Sequence, residues 1–253
     1  MKFSRTLFVV LGLAPALALG ASSKHHPAYN WTGLYIGGNL GYGLVYGNTD
    51  FTPLPDAASF MNLAPASLGS HATDGLIAGG QLGFNWQAGN WVSGLEGDFQ
   101  KGPEAGVTST PILQNNGTPY PSGYLRSGET ANWVATFRLR TGLSPLYRLF
   151  IYLTGGAAYG SVAYSAITDF RPGGQYDYAA GYSKTRLGWV GGIGAEWVTD
   201  WNWSVKIEGL YYDLGDESTV ANPDPNTNPP YQVGYHWRSQ AGLLRVGVNY
   251  KLF

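Results

Sequence analysis

Charge is what the sequence has least of. Asp, Glu, Lys and Arg make up 12% of its 253 residues, about half the roughly 25% of a soluble domain. Cysteine is absent altogether, which excludes a disulfide framework and thiolate chemistry. Long hydrophobic runs are missing too: beyond about the first 20 residues no stretch of about 18 uninterrupted apolar residues occurs. The 37 glycines fall within every apolar stretch, where they would weaken a helix, so a transmembrane helix bundle is excluded. A net charge of -1 provides no concentrated basic footprint, and no nucleic-acid partner is expected. What is present rules out disorder, because 44% of the residues are hydrophobic and 15% aromatic, whereas disordered chains are charge-rich and aromatic-poor.

The first segment is an export signal. Lys2 and Arg5 form a positive n-region, Leu7 to Leu13 an apolar core, and Ala16-Leu17-Ala18 or Ala18-Leu19-Gly20 a small-residue cleavage site, the layout of a secretory signal peptide. Pro15 and Gly20 would break a buried helix here.

The remainder alternates with a period of two. Eight segments each carry an apolar face and a small or polar one: Thr32 to Gly43, Asp74 to Gln87, Trp91 to Gln100, Asn132 to Gly142, Leu149 to Val162, Lys184 to Val198, Trp203 to Leu214 and Arg238 to Phe253. The connections are 44–73, 88–90, 101–131, 143–148, 163–183, 199–202 and 215–236, so long and short alternate without exception. That is the layout of an all-β, eight-stranded antiparallel up-and-down transmembrane β-barrel, with short periplasmic turns and four long extracellular loops. A soluble lipocalin-like barrel or sandwich would turn its charged face to water. Here Glu96, Asp98, Arg138, Arg140, Arg186, Glu196, Lys206, Glu208, Arg245 and Lys251 instead share a face with glycines and amides, as a crowded lumen with a structural charge network requires. A turn centred on Trp201 would set Glu196 opposite Lys206 as an inward ion pair. Indoles prefer the headgroup level, and the tryptophans suit an aromatic girdle: Trp31, Trp86, Trp91, Trp197, Trp201 and Trp203 at the short-turn end, Trp133, Trp189 and Trp237 higher up.

The segments Trp31-Thr32-Gly33-Leu34-Tyr35-Ile36-Gly37-Gly38, Thr154-Gly155-Gly156-Ala157-Ala158-Tyr159-Gly160, Gly191-Gly192-Ile193-Gly194-Ala195-Glu196 and Val246-Gly247-Val248-Asn249-Tyr250-Lys251 resemble the small eight-stranded outer-membrane barrels of the OmpA-transmembrane and opacity-protein superfamily. Within it they are most similar to the alphaproteobacterial outer-membrane immunogenic proteins. The resemblance covers essentially the whole mature chain. It implies the outer membrane as location, reached through the Sec pathway, with roles in envelope integrity and surface interaction, often a "porin family" label, and haem binding in some members. No peptidoglycan-binding domain is expected after the eighth segment, so the anchoring role of longer OmpA-type proteins is not implied. The expected organisation is a signal peptide over 1–21 with cleavage within 18–21, a periplasmic tail over 22–31 and a barrel over 32–253. Phe253 supplies the C-terminal aromatic that barrel-assembly machinery reads, although it lies one step out of phase with Tyr250 and Leu252.

Chemistry is thinly represented. An eight-stranded barrel is filled by its own side chains, which argues against a wide channel and leaves slow small-solute transport as the alternative function. No G-x-S-x-G, P-loop or dinucleotide glycine pattern occurs, no catalytic residue or metal site is assigned, and no cofactor is expected. His25 and His26 lie in the tail. His71 and His236, with Asp74 and Tyr235 near them in sequence, could meet at one rim to ligate haem iron or build a hydrolytic pair, although loop histidines are ordinarily just solvated. The connections 101–131 and 215–236 hold Pro103, Pro111, Pro119, Pro121, Pro223, Pro225, Pro229 and Pro230, and are expected as turn-rich loops. Expected partners are outer-membrane lipid and lipopolysaccharide, the assembly machinery through Phe253, and host or envelope proteins through the loops. For stability, Ile207→Arg on the lipid face is expected to cost about 2–4 kcal/mol, and a lumen change such as Asn249→Ser much less.

Overall fold

The computed structural model describes residues 29–102, 106–146, 148–170, 177–200, 202–222 and 231–253. The expected signal peptide, its cleavage site, His25, His26 and Trp201 lie outside them. The described elements are β1 (Gly33–Pro53), α1 (Pro55–Met61), β2 (Ala66–Ala88), β3 (Trp91–Lys101), β4 (Gly106–Leu113), β5 (Pro119–Leu146), β6 (Leu149–Phe170), β7 (Tyr178–Asp200), β8 (Trp203–Ala221) and β9 (Val233–Lys251). All pairings are antiparallel, and they close a ring in the order β1, β2, β3, β5, β6, β7, β8, β9 and back to β1. The described strands number nine rather than the expected eight. The additional one, β4, pairs with β5 and stands outside the ring.

Lipid dictates the outer surface through the middle of the ring. Ile36, Leu82, Phe137, Leu153, Ile193, Ile207 and Val246 are exposed there, while their chain neighbours turn inward. In a bilayer this is the only tolerable arrangement, because every backbone group is hydrogen-bonded around a closed ring and only apolar side chains face outward. Trp86, Trp91, Trp197 and Trp203 form an exposed lower band. At the upper edge Trp189 is exposed and packs on Tyr211 at 5.4 Å, and Trp133 stacks on Phe99 at 5.7 Å.

Above this belt the strands run on well into the stretches expected as loops. β1 reaches Pro53, β2 starts at Ala66, β5 starts at Pro119 and β8 continues to Ala221. The physical reason is a reversal of phase. Along β9, Leu244, Val246 and Val248 face outward in the belt, but higher up it is Val233, Tyr235 and Trp237 that are buried inside. Water surrounds the upper wall, so its apolar residues turn inward as in a soluble barrel. Pro111 is tolerated because, among the described residues, β4 has a strand ladder on one side only, with β5.

Helix α1 caps the upper end. Pro55 supplies a preset φ at its start, and Asn62, at φ 52°, ends it in the left-handed region. Its Ala57 and Met61, with Leu63 just beyond, are buried in the upper core.

Candidate functional site

The lumen is filled in three layers. The middle layer is a neutral cluster of four acids and four bases, Glu96, Asp98, Glu196 and Glu208 with Arg138, Arg140, Lys206 and Arg245, all of them buried. Period-two alternation places every one of them inward, and the ladder stacks them: Glu96 is opposite Arg138, Glu208 opposite Arg245, and Glu196 opposite Lys206. Glu96 is the hub. It accepts from Lys206 at 2.8 Å and Arg140 at 2.9 Å, lies against Arg138, and has Arg245 at 3.5 Å. Asp98 accepts from Arg138 at 2.8 Å, from Arg245 at 3.1 Å and from the Thr136 hydroxyl at 2.7 Å. Glu208 accepts from Arg245 at 2.8 Å, with Lys206 at 3.2 Å and Arg138 at 3.4 Å. Burying such ions is tolerable only when they are paired and hydrogen-bonded, and polar neighbours add further bonds, although Asp98 Oδ1 and Arg140 Nε have no hydrogen-bond partner. The Tyr35 hydroxyl donates to Glu96 at 2.7 Å, the Tyr152 hydroxyl to Glu208 at 2.8 Å and the Asn249 amide to Glu196 at 2.8 Å.

The lower layer is aromatic. Trp31 packs against Phe150 at 5.4 Å and edge-on to Tyr29 at 5.1 Å, and its indole N–H donates to Ser144 Oγ at 3.1 Å. Burial, and then the Glu196 carboxylate, push the Tyr29 phenol up to about 12, so it stays neutral beneath the charge cluster. The Arg140 guanidinium carbon lies 4.3 Å from the Tyr152 ring centre and 5.0 Å from that of Phe150, joining this layer to the one above by cation–π contact.

The upper layer is apolar and aromatic. Trp237 stacks on Tyr235 at 5.6 Å and packs on Tyr164 at 5.4 Å, while Phe51 packs on Tyr235 at 5.8 Å. Trp237 donates its indole N–H to Ser127 Oγ at 3.3 Å.

Several sequence expectations are corrected by these positions. Trp31 and Trp237 are not girdle residues: each is turned into the lumen, where its indole N–H finds a hydroxyl partner. Glu196 and Lys206 are ladder neighbours as expected, but their ion pairs run elsewhere, Glu196 to Arg140 and Lys206 to Glu96 and Glu208. Arg186 and Lys251 lie outside the central cluster. Arg186 sits at the upper rim, 3.8 Å from Glu217, and Lys251 at the lower end donates to the Asn30 carbonyl at 2.6 Å. Tyr35, Tyr152, Asn249 and Thr136 were missed as members of the network. Their inward parity was visible, but neutral residues give no sign of which charge they serve.

The described members of the proposed rim constellation, Asp74, Tyr235 and His236, do not converge. Tyr235 points into the lumen, Asp74 accepts a hydrogen bond from Tyr42 on the outer face, and His236 Nδ1 lies 2.8 Å from Ser218 Oγ. His71 and His236 flank β1, across from Gly47 and Asp50 respectively; the side chain of His71 lies outside the described residues. Among the described residues no group of three His, Cys, Asp or Glu is placed to hold a metal ion.

Known proteins match this architecture. Residues 11–250 fit the family model of the outer membrane protein β-barrel domain. The 31 kDa outer-membrane immunogenic protein of Brucella melitensis is 34% identical over 226 residues, which span 88% of this chain and 84% of that protein. The 25 kDa outer-membrane immunogenic protein of Brucella canis is 27% identical over 258 residues, spanning 99% and 93%. Neither name describes an enzyme. Among solved structures, the outer membrane protein OprG from Pseudomonas aeruginosa superposes with a TM-score of 0.47 at 12% identity, covering 88% of this chain and 98% of its own. The family model spans nearly the whole sequence and the apolar belt supplies the surface that meets lipid, so the chain belongs to the outer-membrane β-barrel proteins of the immunogenic-protein family.

Proposed function

We propose that this protein is a closed, non-conducting and non-enzymatic barrel that reinforces the outer membrane and offers its upper rim to other surface molecules. The filled lumen is the observation that carries this reading. An ion travelling along the axis would have to part Trp31 from Phe150, separate the carboxylates from Arg138, Arg140 and Arg245, and then cross the apolar layer around Trp237. Breaking a buried ion pair by removing one partner costs about 3–5 kcal/mol, and no continuous polar path replaces what is broken. The same filling weighs against the alternative of slow solute transport. Planar-bilayer recording on purified, folded protein tests the proposal: a flat trace is expected, and reproducible current steps would overturn it.

The partners in this reading are lipid and lipopolysaccharide around the belt, envelope or host proteins at the rim, and assembly machinery at Phe253, which is exposed beyond the end of β9. Catalysis at the rim has little support, since the described hydrogen bonds give His236 a serine partner and no carboxylate.

A further inference from the structure

The wall between β7 and β8 is stitched only in its lower part. Their ladder ends with Trp189 opposite Asp213. Above that level β7 continues to Tyr178 with β6 as its ladder partner, and β8 continues to Ala221 with β9. Both edges lie within the described residues, the side chain of Tyr182 alone excepted, and no ladder joins them there. The sequence supplies a cause. Asp213-Leu214-Gly215-Asp216 forms a bulge against β9, in which Gly215 takes φ 77° and its N–H donates to Asp213 Oδ1 at 2.8 Å. A bulge bends its strand and raises the local twist, which turns the upper part of β8 away from β7. It also moves the inward parity from even numbers, as at Leu210 and Tyr212, to odd ones, as at Glu217 opposite the buried Trp237.

The gap is open. Lys184 stands opposite the buried Val162 and so has inward parity, yet its side chain is 54% exposed. Glu217 and Thr219 also point inward and are only half-buried, whereas the inward residues lower on β8 are buried. Side chains replace the ladder at the base of the gap. Lys184 Nζ donates to both Glu217 carboxylate oxygens, at 3.0 and 3.1 Å, and Arg186 donates to the Asp216 carbonyl. Above them lies an open cleft of about 450 Å³ between Ala179, Ala180 and Gly181 on one edge and Ser218, Thr219 and Val220 on the other. Its size falls in the range of about 300–1,000 Å³ usual for ligand sites.

Two strand edges facing one cleft present rows of N–H and C=O groups without ladder partners, and the complement to such a row is the backbone of an extended chain. The small side chains along both edges leave that backbone within reach, and no lining residue is an aromatic ring on which a sugar could stack. The chain's own connection beside the cleft is a poor occupant, because residues 223–230 include four prolines, which cannot donate to a ladder. Charge gives the occupant a sign. At the base two cations, Lys184 and Arg186, share the one carboxylate of Glu217 at 3.0 and 3.8 Å, while Asp216 is paired with Arg238 at 3.2 Å. The exposed Lys184 has room for a second carboxylate. Resting on the reading that the rim meets other surface molecules, we propose that this slot is a strand-addition site: an extended segment of another surface protein inserts between β7 and β8, bonds to both edges and places an acidic side chain at Lys184.

Peptide binding tests this. The folded protein is reconstituted in phosphatidylcholine vesicles and titrated, with fluorescence anisotropy as the readout, against a labelled decapeptide of alternating Thr and Val with one central Glu. Saturable binding is expected. N-methylation of alternate peptide amides removes backbone donors without touching the side chains, and is expected to abolish it. Replacing the central Glu by Lys is expected to weaken binding at least tenfold, and Lys184→Glu to reverse that preference, with heat-modifiable gel migration confirming that the variant is folded. Should Lys184→Glu not fold, Lys184→Gln is expected to remove the preference. A photoreactive group on the peptide is expected to label residues 179–181 and 218–220. No saturable binding, equal binding by the N-methylated peptide, or labels confined to other parts of the barrel would overturn the site, and an unchanged preference in the Lys184 variants would overturn the role of Lys184. Peptide binding that appears only once residues 223–230 are deleted would give the slot to the chain's own connection, and a cross-linked dimer that Lys184→Glu separates would give it to a second copy; either result overturns the proposal. Planar-bilayer recording keeps the two readings apart, since a barrel that binds no peptide but still gives a flat trace loses the slot and keeps its seal.

Discussion

Glu96 is the lumen acid on which most bases converge: Arg138, Arg140, Lys206 and Arg245 all lie against it, and the Tyr35 hydroxyl donates to it. Glu96→Gln keeps the shape but removes one of four negative charges facing four positive ones, leaving a buried excess of cation. The expected loss is about 3–5 kcal/mol. Ile207→Arg puts a charge on the lipid-facing surface, where Ile207 is half exposed, and is expected to cost about 2–4 kcal/mol. Asn249→Ser needs a revised expectation. Asn249 is buried, accepts from Gln81 at 2.8 Å and donates to Glu196 at 2.8 Å. Removing it leaves both partners short of a bond, at about 1–3 kcal/mol, so a lumen substitution is not cheap merely because it avoids lipid. Urea titration in lipid vesicles, followed by tryptophan fluorescence, ranks the three. An Asn249→Ser loss equal to or above that of Glu96→Gln would mean the charges are not organised around Glu96.

At the scale of the strands, two glycines make room for the rings that flank Arg140. A Cβ on Gly83 would lie 2.4 Å from Cζ of Tyr35, and one on Gly194 would lie 2.4 Å from Cζ of Tyr152. Each ring lies flat on the neighbouring strand because that strand has no side chain there. Gly83→Val is therefore expected to displace Tyr35, lose its bond to Glu96 and cost about 1–3 kcal/mol. With Tyr35→Ala already present the glycine change is expected to cost less, and additivity between the two would show that the ring does not depend on the gap. The glycines themselves were legible as lumen packing, and so was the belt, because lipid permits only one face to be apolar. The upper barrel was hidden by its change of phase: Val233, Tyr235 and Trp237 are apolar on odd numbers, whereas Leu244, Val246 and Val248 are apolar on even ones. A reading that follows one parity loses the strand between them. The ion pairs were hidden for a different reason. Sequence and register reveal neighbours along the ladder, such as Glu196 and Lys206, but Lys206 reaches across the lumen to Glu96 on a strand that is not its neighbour.

For the whole molecule, the three layers are separate obstacles, and that makes a prediction about conduction distinct from one about stability. Trp31 and Phe150 form the lowest layer and touch each other at 5.4 Å. Replacing a buried Phe or Trp by Ala typically costs about 3–5 kcal/mol, and the losses at two residues in contact are coupled rather than additive. The Trp31→Ala, Phe150→Ala variant is thus expected to unfold at clearly lower urea and to lose its heat-modifiable band at lower temperature. Its current trace is nevertheless expected to stay flat. Above the emptied floor the cluster of Glu96, Asp98, Glu208 and their bases remains paired, and above that the Phe51, Tyr235 and Trp237 layer remains dry. Water admitted from the lower end would stop at the cluster, since an ion can pass only by exchanging places with a residue already neutralised. A stepwise current in this double variant, with the wild type silent, would place the whole barrier at Trp31 and Phe150 and make the charge layer a polar path rather than a seal.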